Sequence, residues 1–256
     1  MSELVKGGAA LDALNQSDDG GNDQEFASFK SGTTYTVKVL GTSDLIQFFS
    51  YGIFKKVNSF VAKNPSKKSA KGYPVENLTP WDKAWKYHKD LSEDFNDKHG
   101  QEVGKYRVKQ RFAFGFIDLD SGEPIIVDVS KNQGQAIYAA VKKYEKKLDK
   151  LAFELSKQGE STSTTVSLTP IIDMDEDLTD EQRKNFDNAP KEFDMSLFDG
   201  LLYEADEAEQ IELLKQAGFD VSLIGFNSEG QADSSASNSD EGEPIDGDVD
   251  SDDLPF

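Results

Sequence analysis

Lys105-Tyr106-Arg107-Val108-Lys109-Gln110-Arg111-Phe112-Ala113-Phe114-Gly115-Phe116-Ile117 alternates charged and apolar residues with a period of two, the pattern of a half-buried β-strand. On a strand, Lys105, Arg107, Lys109 and Arg111 share one face, and Tyr106, Val108, Phe112, Phe114 and Phe116 point to the other. The cations then recur at about 6.6–6.8 Å, twice the strand rise, close to the phosphate spacing of an extended single strand. The plainer alternative is the solvated face of an ordinary antiparallel sheet. Downstream, Asp120-Ser121-Gly122-Glu123-Pro124 supplies turn chemistry before Ile125-Ile126-Val127-Asp128-Val129, so the region predicts a hairpin.

Working outward, Tyr35, Val37 and Val39 alternate with Thr34, Thr36 and Lys38, which predicts a strand over Thr33 to Val39. Leu45 to Val61 predicts a further strand or a hairpin bulged at Gly52. Residues 62–104 read as a long insertion punctuated by Asn64-Pro65, Gly72, Pro74 and Pro80. Ser130 and Gln133 fit a capping box, and Ile137, Val141, Tyr144, Leu148, Leu151 and Leu155 extend the expected helix to Gly159. A closing strand from Thr164 to Thr169 follows, then a short helix capped by Thr179 with Gln182, and a helix from about Glu204 to Ala217 stopped by Gly218. These elements predict a mainly β, α+β fold: a partly open barrel of the oligonucleotide-binding (OB) type, with a sandwich as the alternative. The expected organisation is a mobile arm over residues 1–30, one domain over 31–226, and a disordered acidic tail over 227–256.

Charge is sharply segregated. The chain carries −20 in all, made of −4 over residues 1–50, +7 over 51–157 and −23 over 158–256. A basic body with an acidic appendage suits a polyanion ligand that a uniformly acidic surface would repel. Beside the lysines lie aromatic residues: Tyr51 with Lys55 and Lys56, Tyr73 with Lys71, and Trp81, Trp85 and Tyr87 with Lys83 and Lys86; the insertion also carries Lys63, Lys67 and Lys68. Sequence-independent binding of a single strand needs this pairing of cations for the backbone with rings for the bases. The tryptophans, four residues apart, would equally serve as core on one face of a helix.

Cysteine is absent, which excludes disulfides, Cys-ligated zinc and thiol nucleophiles, and no phosphate-binding loop, nucleotide fingerprint or nucleophile elbow occurs. Asp173, Asp175 and Asp177 imitate the start of a calcium loop, but Leu178 and Lys184 stand where glycine and a bidentate glutamate are required. No cofactor, metal or catalytic residue is therefore expected. The absence of a long apolar run or signal-like N-terminus predicts a cytoplasmic protein without membrane association. From Asn227 on there are ten acidic and no basic side chains, and the chain closes on Asp252-Asp253-Leu254-Pro255-Phe256. An acidic linker with an apolar tip predicts a peptide ligand for a basic, pocketed partner.

The ending Gly242-Glu243-Pro244-Ile245-Asp246 together with Asp252 to Phe256 resembles the C-terminal tip of bacterial single-stranded DNA-binding proteins. That resemblance implies recruitment of replication, recombination and repair proteins. Val108-Lys109-Gln110-Arg111, followed by aromatics, a hairpin and a helix, is similar in order to the helix-destabilising proteins of T-even phages over roughly residues 33–170. It implies a phage protein acting in the host cytoplasm. The zinc site of those proteins has no cysteines here, and their basic N-terminal arm has no counterpart in the Asp-rich residues 12–25. Two other classes stay in view: a DNA-mimicking acidic inhibitor or interaction protein, and a metal-dependent nuclease.

Overall fold

The computed structural model describes residues 25–160 and 163–226. The expectations for residues 1–24 and for the acidic tail with its tip lie outside them. In chain order the elements are β1 (Thr34–Lys38), β2 (Leu45–Ile53), β3 (Val57–Ala62), β4 (Lys67–Lys68), β5 (Pro74–Glu76), α1 (Pro80–Leu91), α2 (Lys98–Tyr106), β6 (Lys109–Asp118) and β7 (Pro124–Ser130). There follow α3 (Lys131–Lys143), β8 (Phe153–Gln158), β9 (Thr165–Pro170), α4 (Met174–Asp177), α5 (Asp180–Asn188), β10 (Glu204–Ala205) and α6 (Glu207–Ala217).

The fold is mixed α+β. Among the described residues, eight strands form one largely antiparallel sheet, and β4 and β5 make a separate small hairpin. β6 is its axis. One edge pairs with β7 from Arg111↔Ser130 to Ile117↔Pro124; the other pairs first with β2 and then, at Lys38↔Ile117 and Val37↔Asp118, with β1. β1 and β2 are thus two halves of one long strand, with residues 39–44 looped out between them. β1 carries β8 and β9 on its outer edge, while β2 carries β3, beside which β10 runs parallel. The sheet forks and does not close into a barrel. Across the seam runs the segment before β1, whose Ala27 N–H donates to the Ile126 carbonyl of β7 at 2.8 Å and whose Gly32 N–H donates to Lys157 of β8 at 2.7 Å.

Successive residues of β6 point to opposite faces, which sorts the core. On one face Phe114 and Phe116 join Val127, Val129, Phe153 and Leu155 beneath Ile137 and Val141 of α3. Next to this cluster, Tyr51 and Phe60 of β2 and β3 pack with Trp81, Trp85, Tyr106, Ile211 and Phe219. On the opposite face Ala113, Ile126 and Phe48 are covered by Phe193 and Phe198.

Local signals hold where chemistry is local. The Ser130–Gln133 and Thr179–Gln182 capping boxes form, Gly218 ends α6 in the left-handed region at φ 88°, and the β2–β3 hairpin bulges at Gly52 with φ 145°. Asp173 caps α4, accepting from the N–H groups of Asp175 and Glu176.

Several expectations are corrected. Lys105 to Val108 is not strand: Asp97 caps α2 through the Gly100 N–H at 2.6 Å, the helix runs to Tyr106, and β6 begins at Lys109. Turning the chain there buries Tyr106 and Val108 with Trp81. The α3 helix stops at Lys143 instead of Gly159, because Phe153 to Gln158 supplies the backbone partners that β1 needs; pairing across the sheet overrides a helical spacing of leucines. The expected insertion over 62–104 carries β4, β5, α1 and most of α2. Residues 25–30 are not a mobile arm: Phe29 is buried beside Val37, and Phe26 stacks on Phe48 at 6.3 Å. The last helix starts at Glu207, since residues 204–205 are spent pairing with β3.

Candidate nucleic-acid interface

The β4–β5 hairpin is anchored from below by a buried carboxylate. Asp82 of α1 accepts from the Tyr51 O–H at 2.9 Å and from the Ser66 O–H, and the Lys68 amine lies 3.8 Å away. Burial raises the Asp82 pKa, opposed chiefly by the charge of Lys68, while burial lowers that of Lys68, opposed by Asp82. Burial and the Asp82 charge together drive the Tyr51 phenol well upward. This network ties hairpin, helix and sheet together at one point.

Above the anchor the hairpin turns through Gly72, at φ 85°, and presents Tyr73. Tyr73 stacks on Trp85 at 6.0 Å, and the Arg107 guanidinium and the Lys89 amine each sit 5.2 Å from its ring centre. Lys68 lies 5.4 Å from the ring centre of Phe49 on β2, and a Cβ on Gly72 would be 3.6 Å from that ring. Phe49 stands opposite Gln110, and Gln47 opposite Phe112, so these four side chains share one face of the β2–β6 pair. Phe49 and Phe112 are both half-buried, and a Cβ on Gly134 of α3 would lie 3.6 Å from Phe112. Phe49, Gln110 and Phe112 thus share one sheet face, flanked by the hairpin at Phe49 and by the first turns of α3 at Phe112; we call this surface the trough.

The residues singled out by sequence are only partly brought together here. Lys68, Tyr73 and Arg107 meet at the trough, and Lys71 lies exposed on the same hairpin. Trp81 and Tyr51 are 0% and 2% exposed, with the Trp81 indole N–H donating to Gln210 at 3.1 Å; both are core. Trp85, 6% exposed, backs Tyr73 from within the core. Tyr87 packs edge-on against His88, His99 and Phe219. Trp81, Trp85 and Tyr51 are thus spent on docking the insertion against β2 and β3, together with Ala84 and Tyr106.

The expected row of four cations is broken. Lys105 pairs with Glu102 at 2.6 Å on α2, and Arg107 caps that helix. Lys109 and Arg111 do share the β6 face opposite Phe112, as the alternation predicts, and Arg111 is held there by Asp128 at 2.9 Å. Lys67 pairs with Glu76 at 2.9 Å. Lys55 and Lys56 sit on the β2–β3 turn, apart from the trough residues in sequence, where the Lys55 amine covers the 64%-exposed ring of Phe54 at 5.2 Å. Phe49, Phe112, Phe54 and Lys89 were missed. Phe54 was legible as the ring next to Lys55 and Lys56, but Phe49 and Phe112 acquire their place only from the β2–β6 register. The chain matches no known family model, and no curated protein matches it in sequence.

Proposed function

We propose that this protein binds single-stranded DNA without sequence preference during replication, recombination and repair, holding the strand without cutting it. The observation that supports this reading is the trough: the half-buried rings of Phe49 and Tyr73 stand beside Lys68, Lys89 and Arg107, and Phe112 shares the sheet face of Phe49, so bases find aromatic faces where the backbone finds positive charge. Every base has such a face, so stacking carries little sequence information. We read the forked sheet under α3 as an opened barrel of the oligonucleotide-binding type, a reading favoured by the single long strand that β1 and β2 share between the two halves. In the same reading the acidic segment from Asn227 recruits replication and recombination proteins through Asp252, Asp253, Leu254, Pro255 and Phe256.

Titration of the full chain with fluorescent oligothymidylate at several salt concentrations tests the first claim. Log affinity should fall with log salt at about −0.7 per phosphate engaged. Tyr73→Ala and Phe49→Ala should each weaken binding by about 1–3 kcal/mol while their unfolding midpoints show a folded protein. Absence of binding by the folded wild type at low salt would sink the proposal. Removal of residues 247–256 should leave DNA binding intact and abolish capture of replication proteins.

A further inference from the structure

The helix α3 contains no acidic residue, although Asp and Glu outnumber Lys and Arg by 48 to 28 in the chain. Lys131, Gln135, Tyr138 and Lys142 recur at spacings of four, three and four, which aligns them on one face about 16 Å long. All four are exposed, Tyr138 at 44%. Beyond the helix, Lys143, Lys146, Lys147 and Lys150 are exposed as well. Two acids interrupt them. Glu145 is engaged by Lys142 at 2.9 Å, and Asp149 acts on Lys38, as does Asp187. Lys131, Lys146, Lys147 and Lys150 make no ion pair with another described residue.

The N-terminal end of this helix borders the trough. Ser130, the α3 cap, pairs with Arg111, one residue from Gln110 on the trough floor, and Gly134 abuts Phe112. The helix axis therefore leads away from the trough wall toward the lysine-rich turn.

We infer that the outward face of α3 and the turn from Lys142 to Lys150 form a second track for a phosphodiester backbone, carrying a single strand onward from the trough. The inference rests on the single-strand reading above. The lysines hold phosphates as mobile point charges, and Tyr138 offers one ring midway along.

The test compares the full-length wild type with the triple variant Lys146→Gln, Lys147→Gln, Lys150→Gln. A control variant, Lys98→Gln, Lys184→Gln, Lys191→Gln, makes the same change of charge at exposed lysines elsewhere. Each is titrated with oligothymidylates of about 8 and about 25 nucleotides, the shorter matching a single binding fold. The track predicts that the triple variant binds the short strand within about twofold of wild type, and the long strand at least tenfold more weakly. Its salt slope on the long strand should shrink by about 2, three contacts at about 0.7 each, with the control unchanged. Equal affinity of triple variant and wild type for the long strand overturns the track while the trough stands. An equal loss in the control overturns it too, because net charge would then account for the effect. If the wild type binds neither length, the function reading itself fails.

Discussion

Asp82 shows how one residue acquires a role that its neighbours in sequence do not reveal. Between Trp81 and Lys83 it reads as a solvated acid in the first turn of a helix, yet it is completely buried and gathers Tyr51, Ser66 and Lys68 from three other segments. Asp82→Ala would leave two hydroxyls and an amine without their shared partner, and we expect a loss of about 3 kcal/mol in chemical denaturation. Asp82→Asn keeps an acceptor for Tyr51 and should cost less. An unchanged midpoint in Asp82→Ala would show that the network contributes nothing. The tryptophans teach the same lesson: their four-residue spacing was legible, but whether they face a ligand or the core was settled by what covers them. Gln210, far away in sequence, accepts the Trp81 N–H, and Tyr73 stacks over Trp85.

At the scale of elements, the central strand is shaped by what must fit against it. Gly115 lies on the face covered by Phe193, and a Cβ there would come within 2.3 Å of the Phe193 ring. The glycine in an otherwise bulky run is therefore a seat for the segment that crosses the sheet before the 3₁₀ turn at Met195–Phe198. Gly115→Ala should destabilise the protein by about 1–3 kcal/mol through overpacking. Adding Phe193→Leu should restore part of the loss, and a double variant no more stable than the single one would count against this contact as the cause. Caps and turns were legible because each depends on residues within four positions of one another. The false extension of α3 arose because leucines at helical spacing look alike whether they serve one helix or a turn followed by a strand, and only the open edge of β1 distinguishes them.

For the molecule as a whole, one titrating group stands out where the two helices of the insertion meet. His88 of α1 has its Nδ1 3.0 Å from the Nδ1 of His99 on α2, amid the rings of Tyr87, Tyr106 and Phe219. Burial, more than the neighbouring Lys98, Lys105 and His99, lowers the His88 pKa from 6.5, against the pull of Glu102. The unfolded chain takes up this proton first, so the stability held by neutral His88 is complete above 6.5 and is lost as pH falls through the lowered folded value. Asp82 works in the opposite sense at lower pH, its raised folded pKa adding stability as the carboxylate protonates. Denaturation midpoints should accordingly fall as pH is lowered from 6.5, and His88→Asn should flatten that slope. A slope unaltered by the substitution would assign it to other groups.

Sequence by itself determined the segregation of charge, the hairpin around Gly122, the capped helix starts and the strand pattern of β1 and β9, because each follows from composition or from bonds between near neighbours. Tertiary structure alone decided that β1 and β2 share β6, that Lys105 and Arg107 belong to a helix end instead of the strand, and that Phe49 and Tyr73 rather than the tryptophans line the trough. The physical reason is that alternation places a side chain on one of two faces but does not say what lies over either. A one-residue change in where a strand begins exchanges them, and only contacts between distant segments set that register.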